Sequence, residues 1–132
     1  MPLVRIELRR GKSPDYRKAI ADGVYEAMRE TIQVPPDDRF EIVSEHDGAG
    51  FIYDRQYLGI ERSDDFVVVQ ITLRRGRTTD AKQALYRRIT ERLRESPGIR
   101  SEDVLITLVE NGPDDWSFGK GEAQYVKTPP SS

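Results

Sequence analysis

The chain contains no cysteine and a single histidine, His46. The first absence removes disulfides and thiolate chemistry, and the second leaves no ligand set for a structural zinc ion. No apolar run is long enough to cross a bilayer, and the opening residues carry Arg5, Glu7, Arg9 and Arg10, too many charges for a secretory signal. An excess of positive charge is missing too: 21 Lys and Arg against 23 Asp and Glu leave a net charge of −2. Proteins whose affinity for nucleic acid rests on phosphate neutralisation need the opposite balance. These absences predict a cytoplasmic protein that uses no metal and binds neither nucleic acid nor membrane.

What is present is periodicity. At 132 residues the chain suits one domain with a modest core. From Pro2 to Arg9, Val4, Ile6 and Leu8 alternate with Arg5, Glu7 and Arg9, the period of a half-buried strand. Ser13-Pro14-Asp15 then supplies a capping residue, a proline for the first helical position and an acid for the first turn. Tyr16, Ile20, Val24 and Met28 follow at spacing four as one apolar stripe, and Val34-Pro35-Pro36 stops the helix. A second strand is expected from about Phe40 to Glu45.

The second half repeats the first. Ile6-Glu7-Leu8-Arg9-Arg10-Gly11 returns as Ile71-Thr72-Leu73-Arg74-Arg75-Gly76, an offset of 65 residues, and the same offset pairs Val24 with Ile89, Asp38 with Asp103 and Glu45 with Glu110. The chain therefore reads as two β-α-β units, with strands near 3–9, 40–45, 66–74 and 104–110 and helices near 14–32 and 79–95. Right-handed crossovers give an α+β fold: a four-stranded mixed sheet with both helices on one face. The units span about 2–46 and 66–110 within a single domain of residues 2–126. Residues 51–65 form a long connection, and residues 127–132 read as a disordered tail.

Pro2 is the residue with unusual chemistry. Small penultimate residues are those from which the initiator is trimmed, and trimming Met1 would expose a secondary amine, titratable near neutrality and able to form iminium ions with carbonyl compounds. If the two first strands pair antiparallel, the end of the third strand lies beside the start of the first, bringing Arg75 and Arg77 toward Pro2. Strand parity puts Arg75 on the face of Pro2, in series with Val67, Val69, Ile71 and Leu73. An amine beside two guanidiniums suits a small carboxylate-bearing carbonyl compound. By the same symmetry Arg10 and Lys12 form a decoy near Val67, which has no free amine. The plainer alternatives are a terminal proline on a strand and a solvated Leu-Arg-Arg-Gly strand end repeated by duplication. His46 reads as a loop residue, and Asp37/Asp38, Asp64/Asp65 and Asp114/Asp115 read as turns.

The Met-Pro start on an alternating strand and the tandem β-α-β units resemble the tautomerase superfamily, the group that includes 4-oxalocrotonate tautomerase and macrophage migration inhibitory factor. Asp38-Arg39, Arg75-Gly76-Arg77, Val109-Glu110-Asn111 and Asp115-Trp116-Ser117-Phe118-Gly119 resemble, more narrowly, the malonate semialdehyde decarboxylase family. The resemblance runs from Pro2 to about Val126. It implies a cofactor-independent carboxy-lyase acting on a small 3-oxo acid such as malonate semialdehyde, with hydratase activity as a side reaction. Pro2, Asp38, Arg75 and Arg77 would be catalytic, and Arg75, Arg77, Trp116 and Phe118 would bind substrate. It also implies a homotrimer in which the C-terminal segment covers the sheet edges of neighbouring subunits. Two alternatives stand beside it: a keto–enol tautomerase with Pro2 as general base, and a non-enzymatic binding module of the same fold.

Overall fold

The structure, a computed structural model, describes residues 2–126; the expected tail at 127–132 lies outside them. Its elements are β1 (Leu3–Arg9), α1 (Pro14–Ile32), β2 (Phe40–His46), β3 (Val67–Arg74), α2 (Thr79–Glu95) and β4 (Val104–Asn111). Helix starts follow the local chemistry twice over. The Ser13 hydroxyl accepts the Tyr16 N–H at 3.1 Å with Pro14 behind it, and the Thr78 hydroxyl accepts the Ala81 N–H at 3.1 Å. Helix α1 ends where Gln33 turns left-handed (φ 59°), followed by Val34-Pro35-Pro36, which cannot continue it.

The sheet order is β2-β1-β3-β4. Each unit pairs its own strands in parallel, β1 with β2 and β3 with β4, and the units meet through antiparallel β1 and β3. In that register Val4 faces Ile71 and Ile6 faces Val69, so the even residues of β1 and the odd residues of β3 share one face. Both helices cover it. Ile6, Ile71, Ile20, Leu85, Ile89 and Leu93 are fully buried there, each contributing roughly 1.5–3 kcal/mol against exposure. Gly23 allows the helices to approach closely, because a Cβ there would stand 3.0 Å from the Leu93 side chain. Glu30 of α1 bridges Arg88 and Arg92 of α2. The other sheet face has no helical layer, and Phe40, Ile42, Leu105 and Val109 are exposed on the two outer strands. Among the described residues no helix is long and apolar enough to cross a membrane.

Two residues differ from the sequence reading. His46 is not in a loop: it is the last residue of β2, its Nε2 lies 2.7 Å from Glu7, and its ring stacks on Phe51. The partner is non-local, which is why spacing along the chain did not show it. Asp103, given no role in the sequence reading beyond its repeat pairing with Asp38, is 1% exposed and anchors the 51–65 connection. It accepts the Ser63 N–H and hydroxyl, each at 2.7 Å, and Arg100 Nε at 3.1 Å. Burial alone would raise its carboxyl, but these donors outweigh burial and hold it below the usual carboxylate range.

Candidate active site

In this sheet the starts of β1 and β2 coincide with the ends of β3 and β4, so four separate stretches of chain converge at one edge. Pro2 is buried immediately before β1. Leu3 pairs with Thr72, and one further step along the antiparallel ladder sets Pro2 against Leu73, two residues before Arg75. On the other side Leu3 pairs with Phe40, which sets Asp38 and Arg39 level with the start of β1. The Asp38 N–H donates to Pro35 O at 3.1 Å, closing the turn that brings it there.

The two arginines are held differently. Arg75 continues the β3 ladder by donating its backbone N–H to Asn111 O at 2.8 Å, and its side chain is exposed. Its Nη1 lies 3.1 Å from where a Cβ on Gly112 would stand, so the glycine lets the guanidinium rest against the backbone after β4. Arg77 is half-buried and folds back to donate Nη1 to Arg74 O at 2.8 Å. Burial, helped by the Arg74 charge and opposed by Glu110, makes its proton easier to lose than an ordinary guanidinium's. Among the described residues neither Arg75 nor Arg77 forms an ion pair with a carboxylate.

After β4 the chain crosses the uncovered sheet face. The Gly112 N–H donates to Asp115 at 2.7 Å and Trp116 Nε1 donates to Asn111 Oδ1 at 2.8 Å, which fixes the turn and the indole. Trp116 and Phe118 stack at 5.3 Å with planes 3° apart; Phe118 also meets Phe40 at 5.9 Å and the edge of Tyr125 at 5.0 Å. Trp116, Phe118 and Phe40, together with Leu3, Thr72, Asn111, Asp115 and Ser117, line a cavity of about 430 Å³ adjoining the start of β1. Pro2, Asp38, Arg75, Arg77, Trp116 and Phe118 are all at this end of the sheet, but of the six only Trp116 and Phe118 line the cavity. If Met1 is removed, an edge amine, two guanidiniums and an aromatic wall at one sheet end are groups able to hold a small acid and polarise a carbonyl.

Several residues here were not singled out by sequence. Phe40 and Asn111 help form the wall, Tyr125 backs Phe118, and the Arg74 guanidinium lies 4.4 Å over the Tyr125 ring. Strand parity alone would have placed Phe40 and Arg74 on the open face. No group of three or more His, Asp or Glu side chains among the described residues is placed to hold a metal ion.

Comparison with known proteins identifies the relationship. Two models described as tautomerase enzyme match residues 38–119 and residues 2–59. Probable tautomerase YusQ of Bacillus subtilis (strain 168) is 41% identical over 127 residues, covering 96% of this chain and all of the relative, and probable tautomerase YrdN of the same organism is 38% identical over 126 residues, covering 96% and 97%. A solved malonate semialdehyde decarboxylase inhibited by 3-bromopropiolate superposes with a TM-score of 0.87 at 41% identity, covering 93% of each chain. A second malonate semialdehyde decarboxylase, described with decarboxylase and hydratase activities, gives 0.88 at 32% identity, covering 93% of this chain and 95% of that one.

Proposed function

The chain belongs to the tautomerase family, and from that premise we propose that it decarboxylates a small 3-oxo acid such as malonate semialdehyde, giving acetaldehyde and CO2 in the cytoplasm. The observation that carries this reading is the pair of guanidiniums, neither of them ion-paired among the described residues, at the end of the sheet where β1 begins, the end that also carries an aromatic-walled cavity on the uncovered face. Arg75 and Arg77 hold the carboxylate, bidentate recognition being the particular strength of guanidinium. Losing CO2 sends the electron pair of the breaking C–C bond toward the 3-carbonyl, so negative charge develops on that oxygen. Pro2, freed by removal of Met1, meets it as an ammonium that hydrogen-bonds the oxygen, or as an iminium formed with loss of water. Protonation of the resulting enol or enamine carbon completes the aldehyde, after hydrolysis in the iminium case. Asp38 favours the Pro2 cation, and Trp116 and Phe118 keep water from the departing carboxylate. The uncovered sheet face, with Phe40, Ile42, Leu105 and Val109 exposed, supports assembly as a homotrimer.

The names of the curated relatives favour a second reading, a keto–enol tautomerase using neutral Pro2 as base. The two separate by experiment. Protein shown by intact mass to lack Met1 is given malonate semialdehyde and, in parallel, phenylenolpyruvate. Faster decarboxylation, with a rate that falls as pH rises through the Pro2 titration, is expected. Faster ketonisation with a rate that rises through that titration overturns the decarboxylase reading, and no turnover of either compound leaves the binding module.

A further inference from the structure

Glu41 departs from the repeat. It stands on β2 opposite Val4, on the helix-covered face, at the position where the second unit carries Ile106 opposite Val69. Ile106 packs against the core there. Glu41 puts a carboxyl in the same place, with its side chain only 6% exposed. Arg39 Nε donates to Oε1 at 2.6 Å, while Oε2 is buried with no hydrogen-bond partner. A buried acceptor left unpaired is a standing cost that an aliphatic residue would avoid.

The position explains what such a cost could serve. Pro2 shares this face of the sheet, diagonal to Glu41 across the β1–β2 pairing, which by strand geometry separates their Cα atoms by about 7–8 Å. The groups around the carboxyl are few. Arg39 divides its charge between Glu41 and Asp22, bonded at 2.7 Å, and lies 4.6 Å over the Tyr25 ring. Asp22 of α1 is also tied to Lys18, and the Tyr25 hydroxyl donates to Pro36 O. Asp38 lies in the turn before β2, and β1 contributes Val4 and, at its start, Pro2. Burial, outweighing the pull of Arg39, raises the Glu41 carboxyl to about 7.

We propose that Glu41 is a positioning residue for the Pro2 site, a buried carboxyl held under the start of β1 by Arg39, whose ionisation favours the charged form of the Pro2 amine. This rests on the reading of Pro2 as a free working amine. The sign is fixed: as pH rises through the Glu41 titration a carboxylate appears near Pro2, the ammonium survives to higher pH, and the loss of decarboxylation is displaced upward. The descending limb belongs to Pro2 itself.

The test uses Met1-free protein labelled with [15N]proline, titrated by NMR as wild type and as Glu41→Gln, with rate–pH profiles measured alongside. Glutamine keeps the volume and an acceptor for Arg39 but cannot ionise. The expected result is that Pro2 in Glu41→Gln titrates lower by about one pH unit, and that the descending limb of the rate profile moves down with it. Superimposable Pro2 titrations overturn the inference, whatever the activity. If neither protein decarboxylates, the functional reading fails while the titration still reports the coupling. Should Glu41→Gln not fold, a 13C titration of the Glu41 carboxyl in wild-type protein decides: inflections at both its own and the Pro2 titration support the coupling, and a single step overturns it.

Discussion

The two ends of the sheet are related by the 65-residue repeat, yet they differ in how their charges and rings are used. At the end where β3 begins, Arg9 pairs with Asp64 at 3.5 Å, Arg10 with Asp47 at 3.4 Å and Lys12 with Asp65 at 2.7 Å. Phe51 and Tyr53, the repeat partners of Trp116 and Phe118, pack on Phe66 at 5.8 and 4.2 Å, and Phe66 is 2% exposed. At the end where β1 begins, Arg75 and Arg77 have no carboxylate in ion-pair contact among the described residues, and the Trp116–Phe118 stack lines a cavity. Duplication delivered basic and aromatic residues to corresponding positions at both ends. The difference comes from what joins the units: the 51–65 connection and the turn before it supply the acids, and Phe66, which the repeat aligns with position 1, closes one end with a ring.

The strongest way to break this contrast is at Asp103, which holds the connection in place. Replacing it with alanine removes a buried acceptor from three donors and is expected to cost about 3 kcal/mol, read by urea unfolding. Because the folded carboxyl sits below its usual range, that stability is present above the range and lost as pH falls through the folded value, so the mutant's deficit shrinks in acid. Hydrogen exchange should rise in residues 51–65 while the Pro2 end is unaffected. A deficit independent of pH would mean that packing, not the carboxylate, anchors the connection.

The strands, both helices and the sheet order were legible in the sequence because they rest on alternation, capping and the repeat, all of which are local or self-comparing. The end of the sheet that gathers Pro2, Arg75 and Arg77 was legible for the same reason. Asp38 and Asp103 show where that reasoning stops. They are repeat partners with the same local turn context, and the anchoring role of Asp103 comes from the distant Ser63, which no local pattern could show. Glu41 carries no sequence signal at all: it lies between Phe40 and Ile42, which blur the alternation that would have marked it as inward-facing.

The contrast sharpens at the arginines themselves. Arg75→Ala and Arg77→Ala should each lower kcat/KM for a 3-oxo acid by about tenfold to a hundredfold, the worth of a charge-assisted contact of about 1.5–3 kcal/mol. Both are strand-end side chains outside the core, so thermal unfolding should change little. The repeat partners give the control: Arg10→Ala and Lys12→Ala should leave kcat/KM within about twofold of wild type. Equal losses at both ends would show that net positive charge, rather than a site, draws the substrate.

The smallest effect tests whether the filled end is held by its ion pairs or by its rings. Lys12 and Asp65 lie 2.7 Å apart but are 35% and 51% exposed, so solvent screening limits the pair to about 0.5 kcal/mol. The hydrogen bond to Asp65 raises the Lys12 ammonium above its usual range against a smaller desolvation effect. That contribution is therefore complete below the unfolded lysine value and fades as pH rises through the folded one. Asp65→Asn should accordingly lose only this small amount at neutral pH, less in high salt, and nothing once Lys12 is neutral. The Tyr53–Phe66 stack, at 4.2 Å and with Phe66 buried, should keep the end closed in that variant. Near-ultraviolet circular dichroism reports on those rings: an unchanged spectrum assigns the closure to them, and a collapsed one assigns it to the ion pair.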